Sequence, residues 1–134
     1  MRDATGQNRP DPNRRAAHRR GRVAEMVAAL WLRLKGYRLL GHGAVTGRGS
    51  GAGEVDLVVR RGTVVAFVEV KSRPSLEQAA HALTPAQRRR IERGAAAFLA
   101  RHPALAGCDL RFDLMLLAPG RLPRHLPDAW RPGD

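Results

Sequence analysis

The segment Gly53–Arg73 reads GEVDLVVRRGTVVAFVEVKSR. Two valine-rich runs, Glu54–Arg60 and Val64–Lys71, flank Arg61 and Gly62, which is the pattern of a β-hairpin closed by a tight turn. Yet Glu54, Asp56, Glu69 and Lys71 sit on strands whose other side chains are apolar enough to be buried. Side chains alternate along a strand, so Glu54 and Asp56 share one face of the first strand, and Glu69 and Lys71 share one face of the second. With a two-residue turn Arg60 pairs with Thr63, which sets Glu54 opposite Glu69 and Asp56 opposite Phe67. All four charges then project from one face, with Asp56 and Glu69 as diagonal neighbours about 5 to 8 Å apart. A three-residue loop with a bulge would reverse the faces of one strand, so the arrangement depends on turn parity.

Outward from the hairpin, the chain supplies helices on both sides. Residues 1–13 mix Pro, Asp, Asn, Gly and Arg without periodicity and read as a disordered basic arm. A helix beginning within Arg14–Arg20 runs to Lys35, with Val23, Val27, Leu30, Trp31 and Leu34 as its apolar stripe, and Gly36 ends it. Tyr37, Leu39 and Leu40 form a short strand. The glycine-rich Gly41–Gly53 lacks the Lys-Ser/Thr and the following helix of a phosphate loop, and reads as a mobile connection. Thr84-Pro85-Ala86-Gln87 is a helix start with an N-cap, Pro at the first helical position and a capping box. That helix stops before Pro103, and Leu110–Leu117 is a further strand, apolar enough to be central. The order implies one α/β domain over residues 14–118, a central β-sheet flanked by helices, followed by a loose Pro/Arg-rich tail over 119–134 for which Leu126 and Trp130 are the candidate pins.

A chain of 134 residues suits one compact core, and with 43% hydrophobic but only 4% aromatic residues that core is built from Ala, Val, Leu and Ile. No signal peptide or membrane-spanning run is visible, so a soluble cytoplasmic protein with no membrane partner is expected. The single Cys108 excludes an internal disulfide and a cysteine metal cluster. A formal charge of +12 makes nucleic acid the first partner to consider, because Lys and Arg release phosphate counterions. The arginine excess also fits a compositional bias. Only Lys35 and Lys71 are lysines, so an amine at position 71 does not follow from a general preference for lysine.

Two neighbouring carboxylates in a half-buried setting repel, and each is costly to desolvate unless a positive charge lies between them. A divalent cation would meet that need. Hard oxygen donors from Asp56 and Glu69, with the backbone carbonyl of Val70, suit Mg²⁺ or Mn²⁺. Lys71 is then placed to position or deprotonate a water, or to steady charge on a phosphate. The same residues also read as an ordinary charged face pairing in solvent.

The acid on one strand followed by Glu-x-Lys on the next, Asp56 then Glu69-Val70-Lys71, resembles the PD-(D/E)xK nuclease superfamily. From about Arg19 to Leu117 the chain is similar to the YraN-like family of small, endonuclease-like bacterial proteins. The matching stretches are RRGRVAEMVAALWLRLKGYRLL, GEVDLVV, VVAFVEVKSR, TPAQRRRIERGAAAFLARHP and RFDLMLL. The resemblance implies a restriction-endonuclease-like core, a mixed sheet flanked by helices. It also implies Asp56 and Glu69 as metal ligands, Lys71 as the water-positioning base, and Glu25 as the first-helix acid that approaches the site in resolvase-like nucleases. Glu54 would be auxiliary. On the helix Glu25 lies opposite the Val23/Val27/Leu34 stripe, beside Ala28, Ala29 and Leu32, a surface that reads equally as site-facing or solvated. Val55 stands where the superfamily nominally has proline, and the loop before Gly53 is longer and richer in glycine than usual.

Arg73, Arg88, Arg89 and Arg90 are candidates to track a phosphate backbone, at most two of them at once, since consecutive helical residues diverge; Gln87 joins them only where its capping role leaves it free. Asp113, inside an apolar strand, calls for an arginine partner. His18, His42, His81, His102 and His125 show no ligand spacing, and Ser50, Ser72 and Ser75 sit in no nucleophile-elbow pattern. The expected function is a Mg²⁺- or Mn²⁺-dependent endonuclease acting on DNA phosphodiester bonds. The alternatives are a non-catalytic nucleic-acid-binding protein of the same fold and an accessory interaction protein whose charge is incidental. A homodimer is allowed by the resolvase-like resemblance, although no apolar stripe demands one.

Overall fold

The computed structural model describes residues 12–43 and 54–133, with the side chains of the first helix described from Gly21 onward. Helix α1 (Pro12–Leu34) leads through Gly36, at φ 93°, into β1 (Arg38–His42). The hairpin strands are β2 (Leu57–Arg61) and β3 (Val64–Ser72). A short α2 (Leu76–Ala80) and a longer α3 (Pro85–Ala100) carry the chain across to β4 (Asp109–Leu117), and β5 (Arg124–Trp130) follows. The five strands lie in the order β1-β2-β3-β4-β5, with β3 and β4 parallel and the other neighbours antiparallel. This is a mixed α/β sheet flanked by helices. No helix among the described residues is long and apolar enough to cross a membrane.

Alternation along β3 divides the interior in two. Val65 and Phe67 join Ile91, Ala95, Phe98, Phe112 and Trp130 under α3, while Ala66 and Val68 join Ala24, Ala28, Leu32 and Met115 under α1. Thr84 caps α3 by accepting from the Gln87 amide, and the Gln87 side chain accepts from Thr84 N–H, so the capping box forms as read from the sequence. Cys108 is partly buried against the α3-side core.

Four expectations are corrected. Helix α1 begins at Pro12, before the expected range, because Pro suits the first helical turn. Its sheet-facing side is Ala24, Ala28 and Leu32, whereas Val23, Val27, Leu30 and Leu34 are exposed. Small alanines let the helix approach the sheet more closely than the bulkier stripe would. The third correction concerns the turn, which is Gly62–Thr63: Arg61 pairs with Val64, Val58 with Phe67, and Leu57 with Val68. Each partner moves by two residues, which preserves the faces. Gly62 takes φ 61°, a left-handed conformation natural to glycine. Finally, the expected tail contains β5, an edge strand whose Trp130 is buried and stacked on Phe112 at 5.2 Å between ring centroids. The expected glycine-rich connection lies largely outside the described residues, at 44–53.

Candidate functional site

β3 is longer than β2. Its pairing with β2 ends at Leu57–Val68, so Glu69 through Ser72 overhang the end of the shorter strand. The Asp56 bend occupies this notch, and its Oδ2 accepts a hydrogen bond from Val70 N–H at 2.8 Å. A residue's N–H and C=O leave a strand on the same side, so the Val70 carbonyl also points toward the Asp56 side. Helix α1 bounds the notch on one face, where Asp56, Glu69, Glu25, Val70 and Arg73 line a cavity of about 620 Å³. On the α3 side Glu54, Asp56, Glu69, Gln87 and Arg90 line a smaller one of about 90 Å³. Asp56 and Glu69 therefore face common space, as turn parity required.

Gly94 sets the position of the segment entering the notch. A Cβ there would lie 3.1 Å from the Glu54 backbone and from the Val55 side chain, so α3 rests directly on the residues before Asp56. Lys71, two residues beyond Glu69 and on the same face, is buried, with Nζ 3.1 Å from Glu69 Oε1. Desolvation, then the charge of Asp56, pushes Glu69 up from 4.5 to about 8, while Lys71 pulls the other way. At neutral pH Glu69 therefore holds a proton, which lets two carboxyl groups and one ammonium share a confined space.

The donor set suits a small hard cation. Ionising Glu69 beside Asp56 leaves excess negative charge in the notch, and a divalent ion relieves it. Among the described residues no group of three or more His, Cys, Asp or Glu side chains comes together to hold a metal. An ion here would draw on Asp56, Glu69, the Val70 carbonyl and water, a combination that fits Mg²⁺, which retains several waters.

The remaining expected residues divide. Glu25 and Arg73 reach the larger cavity, and Arg73 also donates to the Ser72 carbonyl. Glu54 and Gln87 line the smaller one, the Gln87 side-chain oxygen being taken by its cap. Arg88 and Arg89 turn instead toward Glu92, Trp130 and Arg131, away from the acids, and Arg90 is the member of the run that lines the notch. Helical divergence explains this.

Asp113 is fully buried, and its arginine partner is Arg111, which donates to both carboxylate oxygens at 2.8 Å and to Tyr37 Oη at 2.6 Å. His125 Nε2 lies 2.8 Å from Asp113 Oδ2, and Asp128 N–H donates to Oδ1. Lys35 Nζ is 2.5 Å from His125 Nδ1, which therefore accepts, leaving the proton on Nε2 for Asp113. Burial raises the Asp113 carboxyl, but the bonds from His125, Arg111 and Asp128 outweigh it and hold the group below its ordinary range. The network ties the end of α1 to β4 and β5 on the α1 face. The sequence signalled the need for an arginine, while His125, between Pro123 and Pro127 in an unpatterned stretch, gave no sign.

Residues 24–117 match the family described as "Uncharacterised protein family UPF0102". A UPF0102 protein of Paramagnetospirillum magneticum is 69% identical over 122 residues, covering 91% of this chain and 95% of the relative. One of Parvibaculum lavamentivorans is 56% identical, over 87% of this chain and 85% of the relative, and one of Methylorubrum extorquens is 50% identical, over 90% and 91%. The match covers every acid that lines the two cavities and agrees with the YraN-like resemblance of the sequence: the chain belongs to the UPF0102 family.

Proposed function

We propose that this protein is a metal-dependent, endonuclease-like protein acting on DNA phosphodiester bonds. The observation that carries this reading is the notch itself: Asp56 and Glu69 share one cavity at the end of β2, with Lys71 Nζ 3.1 Å from Glu69. The PD-(D/E)xK-like order of these residues and the charge of +12 support it. A bound Mg²⁺ or Mn²⁺ would polarise the phosphoryl group and its attacking water. Asp56, Glu69 and the Val70 carbonyl would hold the ion, with Glu25 and Glu54 at the margins. Lys71 would orient water or steady charge on the phosphate, released from Glu69 once that acid turns to the ion. Arg73 and Arg90, on opposite sides of the notch, would take flanking phosphates.

Plasmid, single-stranded and branched DNA incubated with Mg²⁺ or Mn²⁺ test the reading. Cleavage is expected from the native protein and not from Glu69→Ala or Lys71→Ala; cleavage that survives both removes this site from consideration. Calorimetric titration with Mn²⁺ should show uptake that Asp56→Asn abolishes. The contact of Lys71 Nζ with Glu69 Oε1 favours a second reading, since it places an amine beside the acid where an ion would sit. That reading is a non-catalytic nucleic-acid-binding protein, which binds DNA with a steep salt dependence and no need of metal.

A further inference from the structure

The outward face of α1 carries large apolar side chains that no element among the described residues covers. Val23, Val27, Leu30 and Leu34 are 57%, 42%, 60% and 74% exposed, and Met26 beside them is 70% exposed. Their spacing, four, three and four residues, is that of the a/d seam of a coiled coil over nearly two heptads. Leu39 on edge strand β1 continues the patch, and a groove of about 530 Å³ runs between helix and strand past Ala29, Leu30, Tyr37 and Val59.

We propose that this face is where two copies of the chain associate, α1 against α1 about a two-fold axis. Area and geometry both support a second copy as the occupant. At their observed exposures the six side chains present about 600 Å², at the upper limit for the largest patch of a typical monomer. Complete burial of two such faces would remove about 1,200 Å², the lower bound for a specific interface. An a/d seam is also self-complementary, because the knobs of one helix fit the holes of an identical one. Arg22, Arg33 and Arg38 flank the patch, so each copy brings positive charge to its margins. Added salt screens that repulsion and leaves apolar burial intact, so association strengthens as salt rises. An acid-flanked partner helix or an anionic lipid surface would respond in the opposite sense. No residue of the acid notch takes part, so the association stands independently of the chemistry proposed there.

Sedimentation velocity on nucleic-acid-free protein tests this over a concentration series reaching about 200 µM, in roughly 0.1 M and 0.5 M NaCl. The expected result is a reversible dimer, more populated at the higher salt, that the double variant Leu30→Glu, Leu34→Glu weakens about a hundredfold with unchanged circular dichroism and Tm. Met26→Glu, at a still more exposed position than Leu30, repeats the test should the double variant lose its fold. A native protein that remains monomeric at the highest concentration and salt overturns the proposal. So does a dimer indifferent to these substitutions, or one that loosens as salt rises.

Discussion

Replacing Glu69 with Gln keeps the shape of the side chain and removes its titration, and the consequence for stability has a definite sign. In the folded protein Glu69 binds its proton up to about pH 8, whereas in the unfolded chain it releases it near 4.5. Between these values the native state holds a proton that the unfolded state has lost. The contribution is therefore fully present below pH 4.5 and declines as pH rises, until Glu69 ionises in the folded state near pH 8. At 1.36 kcal/mol per pH unit the full interval amounts to about 5 kcal/mol. From pH 6 to pH 9 the native protein should lose about 3 kcal/mol through this group, and Glu69→Gln should lose none of it. Urea unfolding of both proteins in EDTA at several pH values gives the difference directly, since groups that titrate alike in both cancel. The variant should gain on the native protein by about 3 kcal/mol across that range, or about 10 °C in Tm. A difference that stays flat from pH 6 to pH 9 would show that Glu69 is already ionised and would refute the argument from crowding in the notch.

Asp113→Asn leaves Arg111 without its carboxylate in a buried setting and should cost about 3 to 5 kcal/mol in urea unfolding. Because the Asp113 carboxyl is held below its ordinary value, its contribution is present at neutral pH and disappears as pH falls below about 4, so native protein and variant should converge in acid. Gly94→Val places branched carbon against the Glu54 backbone and should cost about 2 kcal/mol, measured by thermal unfolding; it should also weaken Mn²⁺ uptake by displacing Asp56, and unaltered uptake would separate α3 packing from the notch. Trp130→Ala should destabilise by about 3 kcal/mol or more, in contrast with the near-neutral effect expected of a loose tail.

The hairpin was readable because β-alternation is insensitive to a shift of two residues: the true turn is Gly62–Thr63, yet Asp56 and Glu69 still meet. The capping box at Thr84 is a local motif and formed as written. The face of α1 was misassigned because the sequence offers two apolar sides, and size points to Val23, Val27, Leu30 and Leu34, whereas close approach to a sheet selects Ala24 and Ala28. Strand β5 was hidden for a different reason. Pro123 and Pro127 depress any strand signal, but an edge strand has one side free of partners and tolerates them. The notch had no local signature at all, since it arises from the difference in length between β2 and β3, a property of pairing.

The parallel pairing of β3 with β4 bears on how the chain is made. β3 lies in the middle of the sheet, yet its second neighbour is separated from it by two helices, and that neighbour is flanked in turn only once residue 130 has been synthesised. Until β4 is complete at Leu117, VVAFVEV stands with an unmatched edge during translation, and β4 then keeps an open edge of its own until β5 is made. Long-range pairings of this kind form slowly and expose sticky intermediates, so newly made chains need shielding until the last strand arrives.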